Sequence, residues 1–61
     1  RRAMARLSPR YRELLLLKHW QGFSDREIGK MLSMSQGNVA RTLQRAKEKL
    51  REALKEEGVE V

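Results

Sequence analysis

Cysteine is absent from the chain, so neither a disulfide framework nor a thiolate metal site can staple it. Aromatic residues number only three, too few for a stacking platform that would hold single strands. No apolar run approaches the ~18 residues of a membrane span, and no stretch resembles a signal peptide. His19 is the one histidine, and no carboxylate cluster joins it at metal-ligand spacing. An enzyme, a cofactor and a metal site are therefore not expected. Length excludes more: a chain of 61 residues has room for one small core, because roughly 60% of its unfolded surface is all it can hide. What is abundant is positive charge, with 14 Lys and Arg against 8 Asp and Glu and a net charge of +6. A soluble, basic, helical module with a polyanionic partner is the class that remains. The first residue is Arg1 rather than methionine, which reads as a piece excised from a longer polypeptide.

The charge is unevenly spread. Residues 1–47 hold eleven basic and three acidic side chains, whereas residues 48–61 are net acidic. Arg1, Arg2, Arg6, Arg10 and Arg12 occur before any acid. A solvated surface accounts for scattered charges, but a block of one sign favours a nucleic-acid face with a neutral end turned away.

Proline and glycine place the breaks. Ser8-Pro9 is an N-cap followed by proline at the first helical position, where its missing N–H costs nothing. The helix is expected to run through Tyr11, Leu14–Leu17 and Trp20, with Gly22 as its stop. Ser24-Asp25-Arg26-Glu27 is a capping box for a short second helix carrying Ile28, Met31 and Leu32 on one stripe and ending near Ser33. Met34 falls in the turn and Ser35 caps a third helix. There Val39, Leu43, Ala46, Leu50 and Leu54 form a continuous apolar stripe, uninterrupted by glycine or proline before Gly58. No strand pattern or repeat is visible. The expected fold is all-α, a small helical bundle with a helix-turn-helix, no wing and a long recognition helix. Its divisions are residues 1–6 as the end of a linker or preceding helix, 7–57 as the helix-turn-helix domain, and 58–61 as a frayed tail.

The helix pair meets the physical requirements of a helix-turn-helix. Gly29 supplies a small residue on the inner side of the second helix, and Ile28, Leu32, Met34 and Val39 can form a shared apolar wedge. At 100° per residue, the side of the third helix opposite its stripe holds Gly37, Arg41, Gln44 and Glu48, flanked by Asn38, Arg45, Ala40 and Lys47. Gly37 and Ala40 allow close approach to a major groove. Arg41 and Arg45 can bond guanine or phosphate, and Gln36, Asn38 and Gln44 can address adenine or phosphate. The helix N-termini around Ser24–Arg26 and Ser35–Gly37 each favour a phosphate. A plain amphipathic helix needs only a soluble outer side; paired caps and an acid-free run from Gln36 to Lys47 weigh toward duplex DNA.

The chain resembles region 4 of bacterial sigma factors, especially the extracytoplasmic-function group. The resemblance rests on Leu7-Ser8-Pro9-Arg10-Tyr11-Arg12-Glu13-Leu14, Gly22-Phe23-Ser24 with Glu27-Ile28, and Gly37-Asn38-Val39 leading into Arg45-Ala46-Lys47 and Leu50-Arg51, about residues 7–51. It implies a bacterial, cytoplasmic, nucleoid-associated protein whose third helix reads the promoter −35 element. The implied partners are promoter DNA, the flap of the RNA polymerase core and an anti-sigma factor, with no membrane and a monomeric domain. By position it implies DNA contacts from Gln36, Asn38, Arg41, Gln44 and Arg45, with Arg26 and Lys30 near the backbone. Ser33 stands where the family turn usually has glycine, which points to a different backbone conformation there. Gly29 replaces a more usual alanine and is expected to soften the second helix by ~1 kcal/mol. Asn38 and Ala40 also depart from the commonest residues, and they bear on which promoter is read.

The first helix is apolar on more than one side. Either it is a central helix buried by its neighbours, or Leu16, Leu17 and Trp20 form a patch for the polymerase flap or an inhibitor. The resemblance favours the patch. Two other readings share much of this pattern. A LuxR-type response-regulator output domain opens with a similar Leu-Ser-Pro-Arg, but breaks after its recognition helix, where Arg45-Ala46-Lys47 here runs on. A sigma-like adaptor that binds polymerase without reading DNA has no need of Arg41 and Arg45.

Overall fold

A serine hydroxyl starts each of three helices by accepting a backbone N–H three residues ahead: Ser8 from Tyr11, Ser24 from Glu27 and Ser35 from Asn38. The structure, a computed structural model, describes residues 2–58. Its α-helices are α1 (Arg2–Ala5), α2 (Pro9–Leu15), α3 (Asp25–Leu32) and α4 (Gln36–Glu56), and no strand occurs among the described residues. The all-α expectation holds. Of the tail expected at 58–61, only Gly58 is among the described residues.

The first long helix reaches Trp20 as expected but changes character on the way. From Leu16 to Trp20 it widens into a π-helical turn, closed by the Gln21 N–H on the Leu16 carbonyl at 2.9 Å. Such a turn takes more residues than an α-turn and rephases the side chains that follow it. Leu17 lies half-buried against the core, while Leu16 and Trp20 face solvent. Gly22 then takes φ +80°, a left-handed value open to glycine, and the Phe23 N–H closes the end on the Leu17 carbonyl at 3.0 Å.

α2, α3 and α4 share one core of Leu7, Leu14, Leu15, Ile28, Val39, Leu43 and Ala46, with no buried polar or charged side chain among the described residues. Leu14, Ile28 and Val39 are fully enclosed, each stabilising by about 1.5–3 kcal/mol relative to exposure. The expected wedge is present: Ile28 and Val39 at its centre, Leu32 and Met34 half-buried around them. The expected α4 stripe is buried at Val39, Leu43 and Ala46 and half-buried at Leu50 and Leu54. Ala53, outside that stripe, is buried as well.

Near the N-terminus, Arg2–Ala5 form α1, which packs on α4. Ala3 is 1% exposed, and the Arg6 guanidinium pairs with the Glu56 carboxylate across 50 positions of sequence. Ala3, small and buried, lets α1 lie close against the far end of α4. No helix is long and apolar enough to cross a membrane among the described residues.

Candidate nucleic-acid interface

The capping box at α3 is reciprocal. The Ser24 N–H donates to Glu27 Oε1 at 2.8 Å, and the Glu27 N–H donates to Ser24 Oγ at 3.1 Å. The Ser24 backbone N–H and then its hydroxyl hold the Glu27 carboxyl below its ordinary pKa, against an opposing desolvation and with a lesser aid from the Lys30 charge. Lys18 Nζ lies 2.9 Å from Asp25 Oδ1, tying the π segment to the first turn of α3. Asp25 and Glu27 thus serve the helix start, as their positions implied.

The turn between α3 and α4 is set by Ser33, Met34 and Gly29. Ser33 adopts φ 57° and ψ 45°, the left-handed conformation that glycine takes at helix ends. The different backbone expected from its side chain is not formed, because closing the turn demands this conformation: the Met34 N–H bonds the Gly29 carbonyl at 2.8 Å. Gly29 also has a use beyond smallness. A Cβ there would stand 2.5 Å from the Met34 carbonyl oxygen and 3.6 Å from Val39 Cγ2. The absent side chain lets the turn fold back onto α3 and the start of α4 press against it.

α4 begins with an open face. The Asn38 N–H is capped by Ser35 Oγ at 3.1 Å, and a Cβ at Gly37 would meet nothing within 4 Å. The Thr42 hydroxyl donates back to the Asn38 carbonyl at 2.7 Å, which commits Thr42 to its own helix. The sequence-predicted positions Gln36, Gly37, Asn38, Arg41, Gln44, Arg45 and Lys47 are all exposed on α4, and Arg26 and Lys30 are exposed on α3. None of the cations among them is in an ion pair within the described residues. The exposed side of α4 therefore carries positive charge and amide groups free to meet a polyanion.

The second predicted group divides. Trp20 is 77% exposed and Leu16 41%, and with Met4, Ala5 and Arg12 they line an open apolar groove between α1 and the π segment. Leu17 is half-buried against the core and also lines a neighbouring open groove with Leu16, Pro9 and Gln21. Phe23 is half-buried on the core. Met4 and Ala5 escaped sequence reasoning because the segment they occupy carries no periodicity long enough to read. One cation outside the predicted set also lies at the helix pair: Arg10 Nη1 is 3.4 Å from Met34 Sδ in the turn. No group of three or more potential metal ligands converges among the described residues.

Residues 1–50 match the family described as sigma-70, region 4. An RNA polymerase sigma-E factor of Streptomyces antibioticus is 44% identical over 52 residues, covering 85% of this chain and 29% of that protein. The sigma-E factors of Streptomyces coelicolor and Streptomyces avermitilis are each 44% identical over 48 residues, 79% of this chain and 27% of theirs. The chain thus spans less than a third of the length of these curated relatives. No solved structure matches it at a significant level. A response-regulator output domain is set aside by the same match and by α4, which runs unbroken through Arg45–Lys47 to Glu56. With most of its length matched and its helix pair built as described, the chain belongs to the sigma-70 region 4 family.

Proposed function

We propose that this domain reads one half of a promoter, the −35 element, and thereby directs RNA polymerase to its start sites as part of a sigma factor of the extracytoplasmic-function type. The observation that carries the proposal is the exposed, unpaired face of α4 at the end of a capped helix pair. Its N-terminal turn enters the major groove, where Gly37 admits close approach. Arg41, Gln44 and Arg45 address base edges, Gln36 and Asn38 reach bases or the adjacent backbone, and Arg26, Lys30 and Lys47 hold phosphates. Residues 7–57 supply the reading unit. The domain is not an enzyme; its role is recognition, in the bacterial cytoplasm at the nucleoid.

The partner surface is Leu16, Leu17 and Trp20. It serves the polymerase flap and, by the same apolar chemistry, an anti-sigma factor. Tethering to polymerase raises the effective concentration at the promoter, so a monomeric domain of modest affinity is sufficient.

Selection of bound duplexes from a random pool at fixed salt tests the reading. A consensus is expected; a pool that stays random would favour a sigma-like adaptor that contacts polymerase alone. On the selected duplex, Arg45→Ala is expected to cost ~1–3 kcal/mol of binding if the contact is to a base. Unchanged affinity in that titration would remove Arg45 from the interface.

A further inference from the structure

We infer that Met34 is an oxidation-responsive modification site, and that the Arg10 guanidinium grips the sulfoxide formed there. The chain has no cysteine, so its reversible sulfur chemistry falls to three methionines. Among the described residues, Met34 alone has a donor at its sulfur: Arg10 Nη1 lies 3.4 Å from Sδ, across 24 positions of sequence. Met31 is 50% exposed and Met4 half-buried, and neither sulfur has such a partner there. Met34 directly precedes Ser35, the cap of α4. Its side chain is half-buried against the core while Arg10 is exposed, so the contact lies where small solutes reach it.

The oxidant is a hydroperoxide, hydrogen peroxide in the simplest case. A sulfur lone pair attacks one peroxide oxygen, and the O–O bond breaks as an S–O bond forms. The proton of the transferred oxygen passes to the departing hydroxide, which leaves as water. Sulfur loses two electrons and the peroxide gains them. The product sets a polar sulfoxide in place of an apolar side chain, which ordinarily disrupts a core. The guanidinium changes that outcome. A thioether is a weak acceptor, whereas the sulfoxide oxygen is strongly dipolar and here meets a permanently charged donor. A hydrogen bond to oxygen spans about 2.8 Å, so the exposed Arg10 side chain need draw back by less than ~1 Å to admit the new atom. Arg10 makes no ion pair with Glu13 or another acid among the described residues, which leaves its donors free. Oxidation thus replaces a weak contact with a charge-assisted bond. Because the Met34 N–H already closes the turn on the Gly29 carbonyl, that bond clamps α2 to the segment from which α4 departs.

The test uses Met4→Leu/Met31→Leu as a background, two volume-conserving changes that leave Met34 as the one methionine. The folded protein is treated with hydrogen peroxide, the added oxygen is located by peptide mass mapping, and Tm is compared with and without Arg10→Ala. Met34 is expected to gain one oxygen. With Arg10 present, oxidation should lower Tm by no more than ~2 °C, and in Arg10→Ala the fall should be larger by at least ~4 °C. Before oxidation Arg10→Ala should leave Tm nearly unchanged, because the thioether contact is weak and Arg10 is exposed. Equal falls in the two proteins overturn the inference, since the guanidinium then plays no part. A Met34 that stays unmodified in the folded protein, while the urea-unfolded chain is oxidised, overturns it as well. Should the leucine background fail to fold, the parent chain and its Arg10→Ala variant are compared at matched Met34 oxidation, and the same outcomes decide.

Discussion

Two residues in the α3–α4 turn depart from what their types prefer, in opposite senses. Ser33 holds a left-handed backbone, which costs a non-glycine residue roughly 1–2 kcal/mol. Ser33→Gly removes that strain but loosens the unfolded chain, so a net gain of about 0.5–1 kcal/mol is expected. Thermal unfolding should show a rise of several degrees in Tm for a domain of this size. Gly29 presents the reverse case. Helix propensity alone awards Gly29→Ala ~1 kcal/mol of stability, but the added Cβ would meet the Met34 carbonyl oxygen at 2.5 Å. That oxygen is backbone and cannot swing aside, so the turn must shift. A net loss of ~1–3 kcal/mol is expected, typical of overpacking, and a higher Tm in this variant would show the approach to be looser than described.

At the scale of elements, the helix starts and the core stripe were legible in the sequence, because serine caps and apolar spacing are local signals. Ser8, Ser24 and Ser35 act where their positions implied, and Val39, Leu43 and Ala46 face the core. The π-helical turn at Leu16–Trp20 was not legible. No glycine or proline marks it, and the four consecutive leucines fit several helical phases equally well. Among those leucines, Leu14 and Leu15 are enclosed, Leu17 is half-buried and Leu16 lies outside with Trp20. The α4 reading face was legible as a set of exposed positions, since its identity follows from the stripe opposite. Arg10 was not, because a contact across 24 residues depends on how α2 and the turn pack together.

Exposure of Trp20 separates stability from association. Trp20→Gln is expected to change unfolding free energy by no more than about 0.5 kcal/mol, as at other exposed positions. Its binding to the polymerase flap, measured by titration, should weaken clearly. Unfolding of the variant would instead assign Trp20 to the core.

For the molecule as a whole, the N-terminal segment matters more than its sequence suggests. Ala3 is as deeply buried as the central core residues, and Arg6 ties α1 to the end of α4. Ala3→Asp would place a carboxylate where no partner exists and is expected to destabilise by more than ~2 kcal/mol. Ala5→Asp, on the exposed side of the same helix, is the control and should be nearly neutral. Equal effects from the two, compared by chemical denaturation, would show that α1 does not stay docked.

The net charge of +6 is likewise a property of parts. The first turns of α4 hold Arg41, Arg45 and Lys47 with no acid, whereas its last turns add Glu48, Glu52 and Glu56 to Lys49, Arg51 and Lys55. The field is thus directional, and under the proposed function it orients the domain before any base is read.

The unbroken length of α4 carries this orientation further. With 21 residues it is a rod of roughly 30 Å, holding the residues proposed to read the groove in its first turns and the α1 docking site in its last. A rod of this kind fixes a phase angle as well as a distance. Each residue advances the helix by about 100°, so a single insertion between Lys47 and Leu50 would swing α1 a quarter-turn or more around the first turns of α4. Under the proposed function, the azimuth at which the N-terminal helix leaves the double helix is therefore written in the count of residues along α4, much as a keyway sets two wheels on one shaft.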